Sequence, residues 1–344
     1  MNTKKETISL YDQIRSCGKL LVLDLGFLGD AIHLIPALWM VRSALPNVRL
    51  DVMIADHIKS IFDLTPWIDN VIGYPRFPVG PKWHEDLHRI RSMRRENYDA
   101  VINLSGSDRT SILTYLTGAK FRLGRIPDRP PLFLKYCFTN MVDVAYAVKP
   151  VFQQRCECLE KAGFPKSKIE FPITIPEQAQ KKIDMELKNV GNFVHISPFT
   201  TVDSRELPMD ILADAINYLN FKFIISCAPN EREKYKLEQF LKLLKRKYAR
   251  IFPGNLSIVE LSALIARSSM HLGGDSGALH IALMTNTPSI SWFRYHPGNR
   301  EWMPHGEIHT QLMGQESPRG IVGISSNDLA RAIVQTDIDN HTPT

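Results

Sequence analysis

From residue 19 to residue 334, short apolar runs alternate with longer stretches in which apolar residues recur every three or four positions. The first pattern predicts buried β-strands, the second helices packed on them. Residues 19–25, KLLVLDL, read as the first strand, and Gly26-Phe27-Leu28-Gly29 as a flexible turn. Asp30 then stands where an N-cap belongs, ahead of a helix over 31–44 with Ile32, Ile35, Leu38, Trp39 and Val41 apolar. Pro36 inside that pattern predicts a kink or a restart. Strands are predicted at 48–54, 71–74, 98–104 and 121–123, with helices at 58–64, 83–95 and 111–117 between them. Residues 75–81 and 127–131 read as proline-rich loops. A helix over 151–162 is followed by a proline-broken connector over 164–176.

A second half then repeats the scheme. NFVHIS, 192–197, is a strand running into the polar loop 198–205. A helix over 208–219 has Pro208 in its first turn, and 221–226 is a strand. Ala228-Pro229-Asn230-Glu231 opens a helix extending to Tyr248, and a short strand ends at Ile251. The helix over 257–268 begins with a Ser257…Glu260 capping-box spacing. Strands at 270–272 and 289–293, a terminal helix over 327–334 and a disordered tail after Asp337 complete the reading.

Strand–helix alternation predicts α/β architecture, with parallel sheets and right-handed crossovers. The expected organisation is a first Rossmann-like domain over 1–172, a second over 173–325, and a terminal helix and tail over 326–344. Ligands on such sheets bind beyond the carboxyl ends of the strands. Four polar groups fall at such ends: Asp30, Thr200 to Arg205, Glu231, and Asp275 to His280. They point to one cleft between the two halves.

The stretch HLGGDSGALHIALMTNTP, 271–288, is the most informative. It reads as strand, tight glycine turn and helix N-terminus. Such a turn aims unpaired N–H groups outward at the positive end of a helix, where a phosphate or diphosphate sits well. Ser276 adds a hydroxyl, and His280 lies one helical turn further on. The plainer alternative is that Asp275 or Ser276 merely caps the helix and His280 is a core histidine.

Composition adds three constraints. No apolar run reaches the length of a membrane span, and the first 26 residues lack the layout of a secretory signal, so a cytoplasmic protein is expected. The five cysteines, Cys17, Cys137, Cys156, Cys158 and Cys227, do not have zinc-site spacing and read as reduced thiols. The net charge is +6, and residues 76–135 hold 12 Lys and Arg against 6 Asp and Glu, so this stretch matches the excess of the whole chain. A basic field suits an anionic partner: nucleic acid, an anionic membrane face or a phosphorylated substrate. For any one of these side chains, a solvated face of the helix around 87–96 is the simpler explanation.

LDLGFLGDAIHLIPAL resembles the N-terminal signature of the lipopolysaccharide heptosyltransferases, which have the GT-B fold of two Rossmann-like domains facing across a cleft. GGDSGALHIALMTNTPSISWF resembles their C-terminal donor-binding signature, and WMP at 302–304 continues it. TTVDSR and APNE fall between them in the same order. The resemblance implies inverting transfer of L-glycero-D-manno-heptose from ADP-heptose to the inner core of lipopolysaccharide. By the same resemblance Asp30 is the catalytic base, and Thr200, Thr201 and Arg205 hold the donor diphosphate. Glu231 lies near the ribose, and Ser197, Asp275, Ser276, Gly277 and His280 complete the donor site. His33, Arg76, Arg109 and Arg125 are candidate contacts for the acceptor. This acceptor would be lipid-linked and phosphorylated, reached by peripheral contact with the cytoplasmic face of the inner membrane. No metal, no other cofactor and no nucleic acid are expected, because Arg205, hydroxyls and backbone N–H groups can meet the leaving diphosphate. Two positions depart from the family pattern: Arg205 stands where Lys is usual, and Asp24-Leu25 replaces a basic residue before the first loop. A transferase using another nucleotide sugar (a hexose or N-acetylhexosamine) and a non-catalytic binder of anionic ligands are the alternatives.

Overall fold

A computed structural model describes residues 8–75, 83–245 and 248–341. The chain forms two compact units that divide between Thr174 and Ile175.

In the first unit the elements run α1 (Leu10–Ile14), β1 (Lys19–Leu23), α2 (Leu28–Ala44), β2 (Arg49–Ala55), a 3-10 segment (Asp56–Leu64) and β3 (Asn70–Tyr74). They continue with α3 (Trp83–Arg95), β4 (Ala100–Asn103), α4 (Asp108–Leu116), β5 (Phe121–Arg125), α5 (Leu134–Cys137), β6 (Asn140–Val142) and α6 (Val151–Lys161). Among the described residues the strands make one sheet in the order β3-β2-β1-β4-β5-β6, every pair parallel. Parallel strands covered on both faces are apolar throughout, which explains why KLLVL has no polar alternation. Leu21, Leu23, Met53, Tyr74, Val101 and Leu113 join one core on this sheet. Helix α2 packs against α6.

The second unit contains α7 (Glu177–Glu186), β7 (Val194–Ser197), a 3-10 turn (Asp203–Arg205), α8 (Met209–Tyr218), β8 (Phe223–Cys227), α9 (Glu231–Leu243) and β9 (Arg250–Pro253). Then follow α10 (Ile258–Arg267), β10 (Met270–Gly274), α11 (Gly277–Met284), β11 (Ser289–Arg294), α12 (Asn299–Trp302), β12 (His309–Ser317), β13 (Gly320–Val322) and α13 (Ser326–His341). The described strands are ordered β13-β12-β11-β10-β7-β8-β9 and pair in parallel except for β12 with β13. One face packs Val194, Ile196, Leu272 and Trp292 with side chains of α8 and α13. The other packs Phe193, Ile224 and Phe252 with α7 and α10.

In each unit the chain starts in the sheet's interior and winds out in both directions. The order reverses between β1 and β4 in the first unit and between β7 and β10 in the second. Loops at such switch points diverge and leave a crevice at the carboxyl ends.

Several expectations are corrected. Helix α2 begins at Leu28, so Asp30 is its third residue and not its N-cap, and the helix runs on through Pro36 without a restart. Helix α7 follows the expected connector in a stretch the pattern left unassigned, and its buried residues are only Ala179 and Ile183. Pro208 occupies the N-cap of α8, and α9 stops at Leu243. Gly273 and Gly274 are the last residues of β10, leaving a turn of Asp275 and Ser276 alone. The terminal helix continues to His341 and belongs to the second unit, packed on α8. Elements α5, β6, β12 and β13 had no counterpart in the hydrophobic pattern. Among the described residues no helix is long and apolar enough to cross a membrane.

Candidate active site

At the switch point of the first unit, two Asx-type turns shape the loops. Asp24 Oδ1 accepts from Gly26 N at 2.8 Å, and Asn103 Oδ1 accepts from Ser105 N at 3.0 Å. The Asp30 carboxylate is held on both sides: Phe27 N donates to Oδ2 at 2.8 Å, and Arg155 Nη2 lies 3.4 Å from Oδ1. Arg155 comes from α6, is buried, and donates also to the Asp30 carbonyl and to Asp24 Oδ2. One guanidinium thus fixes both Asp24 of the β1–α2 loop and Asp30 in the first turn of α2. Asp24 neutralises a cation that burial would otherwise penalise. Gly26 is required here by close approach, since a Cβ on it would lie 2.2 Å from Asp30 Cγ. The Asp30 side chain keeps 24% of its surface accessible, enough to meet a ligand.

The β10–α11 turn organises the second unit. Arg205 Nη1 lies 3.0 Å from Asp275 Oδ2, and His280 Nε2 lies 4.0 Å from Asp275 Oδ1. Burial lowers the pKa of His280 more than Asp275 raises it, so the ring is held neutral. Its edge packs on Trp302, ring centroids 5.7 Å apart. Ser276 occupies the N-cap position but makes no capping bond, and its buried Oγ has no partner among the described residues. Capping therefore does not account for either Asp275 or Ser276. The hydroxyl and the first N–H groups of α11 remain as donors at a positive helix end.

The loop after β7 is braced from below by charges that the sequence pattern did not single out. Glu206 is buried and accepts from Thr200 N at 3.0 Å, from Arg232 Nη2 at 2.8 Å and from Lys236. Arg232 donates to the Thr200 carbonyl at 2.7 Å and also pairs with Asp203. The Thr200 hydroxyl closes a turn by donating to Val202 O at 2.8 Å. Gly274 sits against this loop. A Cβ there would come within 3.0 Å of Arg205 O and 2.8 Å of Trp292 Nε1. Ser197 ends β7 opposite Gly273.

Residues 87–320 match the model of glycosyltransferase family 9 (heptosyltransferase). The chain belongs to this family. It is 23% identical over 278 residues to Lipopolysaccharide heptosyltransferase 3 of Escherichia coli, covering 78% of this chain and 81% of the relative. A family 9 glycosyl transferase from Veillonella parvula superposes with a TM-score of 0.81 at 17% identity, covering 94% of this chain and 97% of that one. The E. coli heptosyltransferase WaaC, solved with ADP, superposes with a TM-score of 0.74 at 16% identity, covering 92% and 99%. The fold is GT-B, and the protein is a glycosyltransferase.

Within this family 9 chain the expected site residues separate into three groups. Asp30 stands at the carboxyl edge of β1, and Ser197, Thr200, Arg205, Asp275, Ser276, Gly277 and His280 gather at the edges of β7 and β10. Thr201 is exposed in the same loop. Glu231 is 92% exposed and pairs with Lys234 at 2.9 Å, while the buried acid of that turn is Glu233, which accepts from Ala228 N at 2.8 Å. Of the acceptor candidates, His33 is corrected: it is fully buried in α2 against Phe152, ring centroids 5.5 Å apart. Arg125 is also engaged internally, stacked 3.3 Å from the Tyr146 ring centroid and bonded to Val144 O and Gln154 Oε1. Arg109 is half-exposed and bonds Tyr74 Oη at 2.9 Å and Asp86 Oδ2 at 3.1 Å. Arg76 lies outside the described residues.

The residues missed were Arg155, Glu206, Arg232 and Lys236. A signal existed for the first: Arg155 lies on the apolar face of its helix with Phe152, Cys156 and Leu159, and a buried cation demands an acid. All five cysteines are free thiols, and among the described residues no three metal-binding side chains converge.

Proposed function

We propose that the protein transfers L-glycero-D-manno-heptose from ADP-heptose to the inner core of lipopolysaccharide, with inversion at the anomeric carbon. An acceptor hydroxyl attacks C1 of the donor sugar from the face opposite the diphosphate. Asp30 takes the hydroxyl proton as the new C–O bond forms. The bond to ADP breaks, and the charge that develops on its diphosphate is met by Arg205, the Ser276 hydroxyl and the N–H groups opening α11. Ser197, Thr200 and Thr201 line the same donor edge, and Glu231 is assigned to the ribose. His280, neutral and fixed, orients Asp275 or the sugar. No metal and no cofactor are part of this scheme.

The observation that carries this reading is the group at the first turn of α11, where a cation, an unpartnered buried hydroxyl and a helix N-terminus meet. The heptosyltransferase names of relatives and the ADP in the E. coli structure favour the sugar and the nucleotide. The acceptor would be lipid-linked and phosphorylated, met at the cytoplasmic face of the inner membrane, with the half-exposed Arg109 a candidate contact for its phosphates. Nucleic acid is not a partner in this proposal.

The test is ADP release from purified protein with ADP-heptose and truncated lipopolysaccharide, beside a panel of UDP- and GDP-sugars. Release from ADP-heptose alone supports the proposal. Faster release from another nucleotide sugar replaces the donor.

A further inference from the structure

Helices α4 and α5 pack on each other and turn large apolar side chains outward. Ile112 and Tyr115 are 45% and 53% exposed, three residues apart on α4. Leu132, just before α5, is 87% exposed, and Tyr136 within it is 64% exposed. The core needs none of these four, because Leu113, Leu134, Cys137 and Phe138 of the same segments fill it. A single exposed leucine is ordinary, but four large exposed side chains on and beside two helices packed together point to an interaction site.

Cations stand at the roots of these tips. Lys135 Nζ lies 5.0 Å from the Tyr136 ring centroid, and the Arg122 guanidinium 5.8 Å from that of Tyr115. Arg122 also donates to Ala119 O at 2.6 Å and Cys137 O at 2.8 Å, tying the end of α4 to the end of α5. Lys120 and Arg129 are exposed. Residues 105–139 carry 6 Lys and Arg against 2 Asp and Glu. Apolar tips ringed by long cationic side chains match the boundary between acyl chains and anionic headgroups. A second copy is a poorer occupant, since a two-fold contact would set this cationic surface against itself.

We propose that the α4–α5 surface docks on an anionic phospholipid bilayer, with Leu132 and Tyr136 entering the acyl boundary and Lys120, Arg129 and Lys135 meeting headgroup phosphates. The proposal rests on the function above only for its purpose, which is to bring a lipid-linked acceptor to the enzyme. The loop carrying Leu132 leaves the carboxyl edge of β5, in the same sheet and on the same edge as Asp30 after β1. The chain then crosses to the amino edge of β5, where Arg122 joins Ala119 to Cys137, so the docked surface runs along the α4–α5 side of the sheet.

Co-sedimentation with vesicles tests this, using phosphatidylcholine alone and phosphatidylcholine mixed with phosphatidylglycerol. The wild-type chain should bind the mixed vesicles, more weakly in high salt, and leave the neutral ones. Arg129→Gln with Lys135→Gln should weaken binding about tenfold. Leu132→Ser with Tyr136→Ser should abolish the part that survives high salt. Both variants should keep the wild-type melting temperature and ADP release with a delipidated core oligosaccharide. Absence of vesicle binding, equal binding to neutral vesicles, or unchanged binding by both variants overturns the proposal. So does self-association lost in the Leu132/Tyr136 variant, or oligonucleotide binding lost in the Arg129/Lys135 variant, when vesicle binding is unchanged. If no acceptor supports ADP release while the vesicle results hold, the transferase reading fails and the docking surface stands.

Discussion

Arg205 Nη1 and Asp275 Oδ2 lie 3.0 Å apart, joining the loop after β7 to the turn after β10 across the switch point of the second sheet. The pair holds a cation at the N-terminus of α11 before any ligand arrives. In the proposed scheme an entering diphosphate meets a guanidinium already held in place.

Removing that cation should weaken nucleotide binding more than it disturbs the fold. Arg205→Ala should raise the Kd for ADP about 10- to 100-fold, the loss of a hydrogen bond to a charged group. Calorimetric titration measures this. Arg205→Lys should recover part of the affinity but not the bidentate geometry.

The Asp24–Arg155 pair predicts a stability effect confined to the first unit. Its side chains are 2% and 7% exposed, so removing Arg155 leaves the buried Asp24 carboxylate without its cation. Arg155→Ala should destabilise this unit by about 3–5 kcal/mol. Urea unfolding with a probe in each unit would show an early transition in the first and an unchanged one in the second.

Much of this was legible in the sequence, and the limits have physical causes. The β10–turn–α11 passage is local, so apolar runs, glycines and a fresh helical period mark it within twenty residues of chain. Arg155 acts on groups 125 and 131 residues away, a distance no periodicity records. Helix α7 escaped because only Ala179 and Ile183 of its ten residues are buried, too thin a stripe to register. Strand β12 is half-exposed for most of its length, so its polar residues hid it. The helical start at Leu28 was missed because two of its first residues, Leu28 and Gly29, read as turn.

Gly26→Ala should impair catalysis without deleting any functional group. The added methyl would meet Asp30 Cγ at 2.2 Å and must push the carboxylate or the loop aside. Turnover should fall at least about tenfold, as misplacement of a reacting group costs, with ADP affinity kept. Steady-state ADP release and calorimetry separate the two.

The second unit should be acid-labile. Burial drives the pKa of His271 down to about 3 and of His309 to about 4, with neighbouring histidine charge a smaller cause, and His195 moves the same way. Neutral in the fold, each takes up a proton on unfolding once the pH is below its ordinary value near 6.5. Stability is therefore intact above that value and is lost as pH falls from there toward 3–4, by about 1.4 kcal/mol per pH unit for each such histidine. His309→Gln should reduce the slope by one proton between pH 6.5 and 4, read from urea melts across pH.

The most direct measurement is Asp30→Asn, assayed for ADP release from ADP-heptose and for ADP-heptose binding. Proton removal by Asp30 predicts turnover lower by about 10²- to 10⁴-fold with donor affinity unchanged. Turnover within about twofold of wild type, well short of a general base's contribution, would contradict the proposed mechanism.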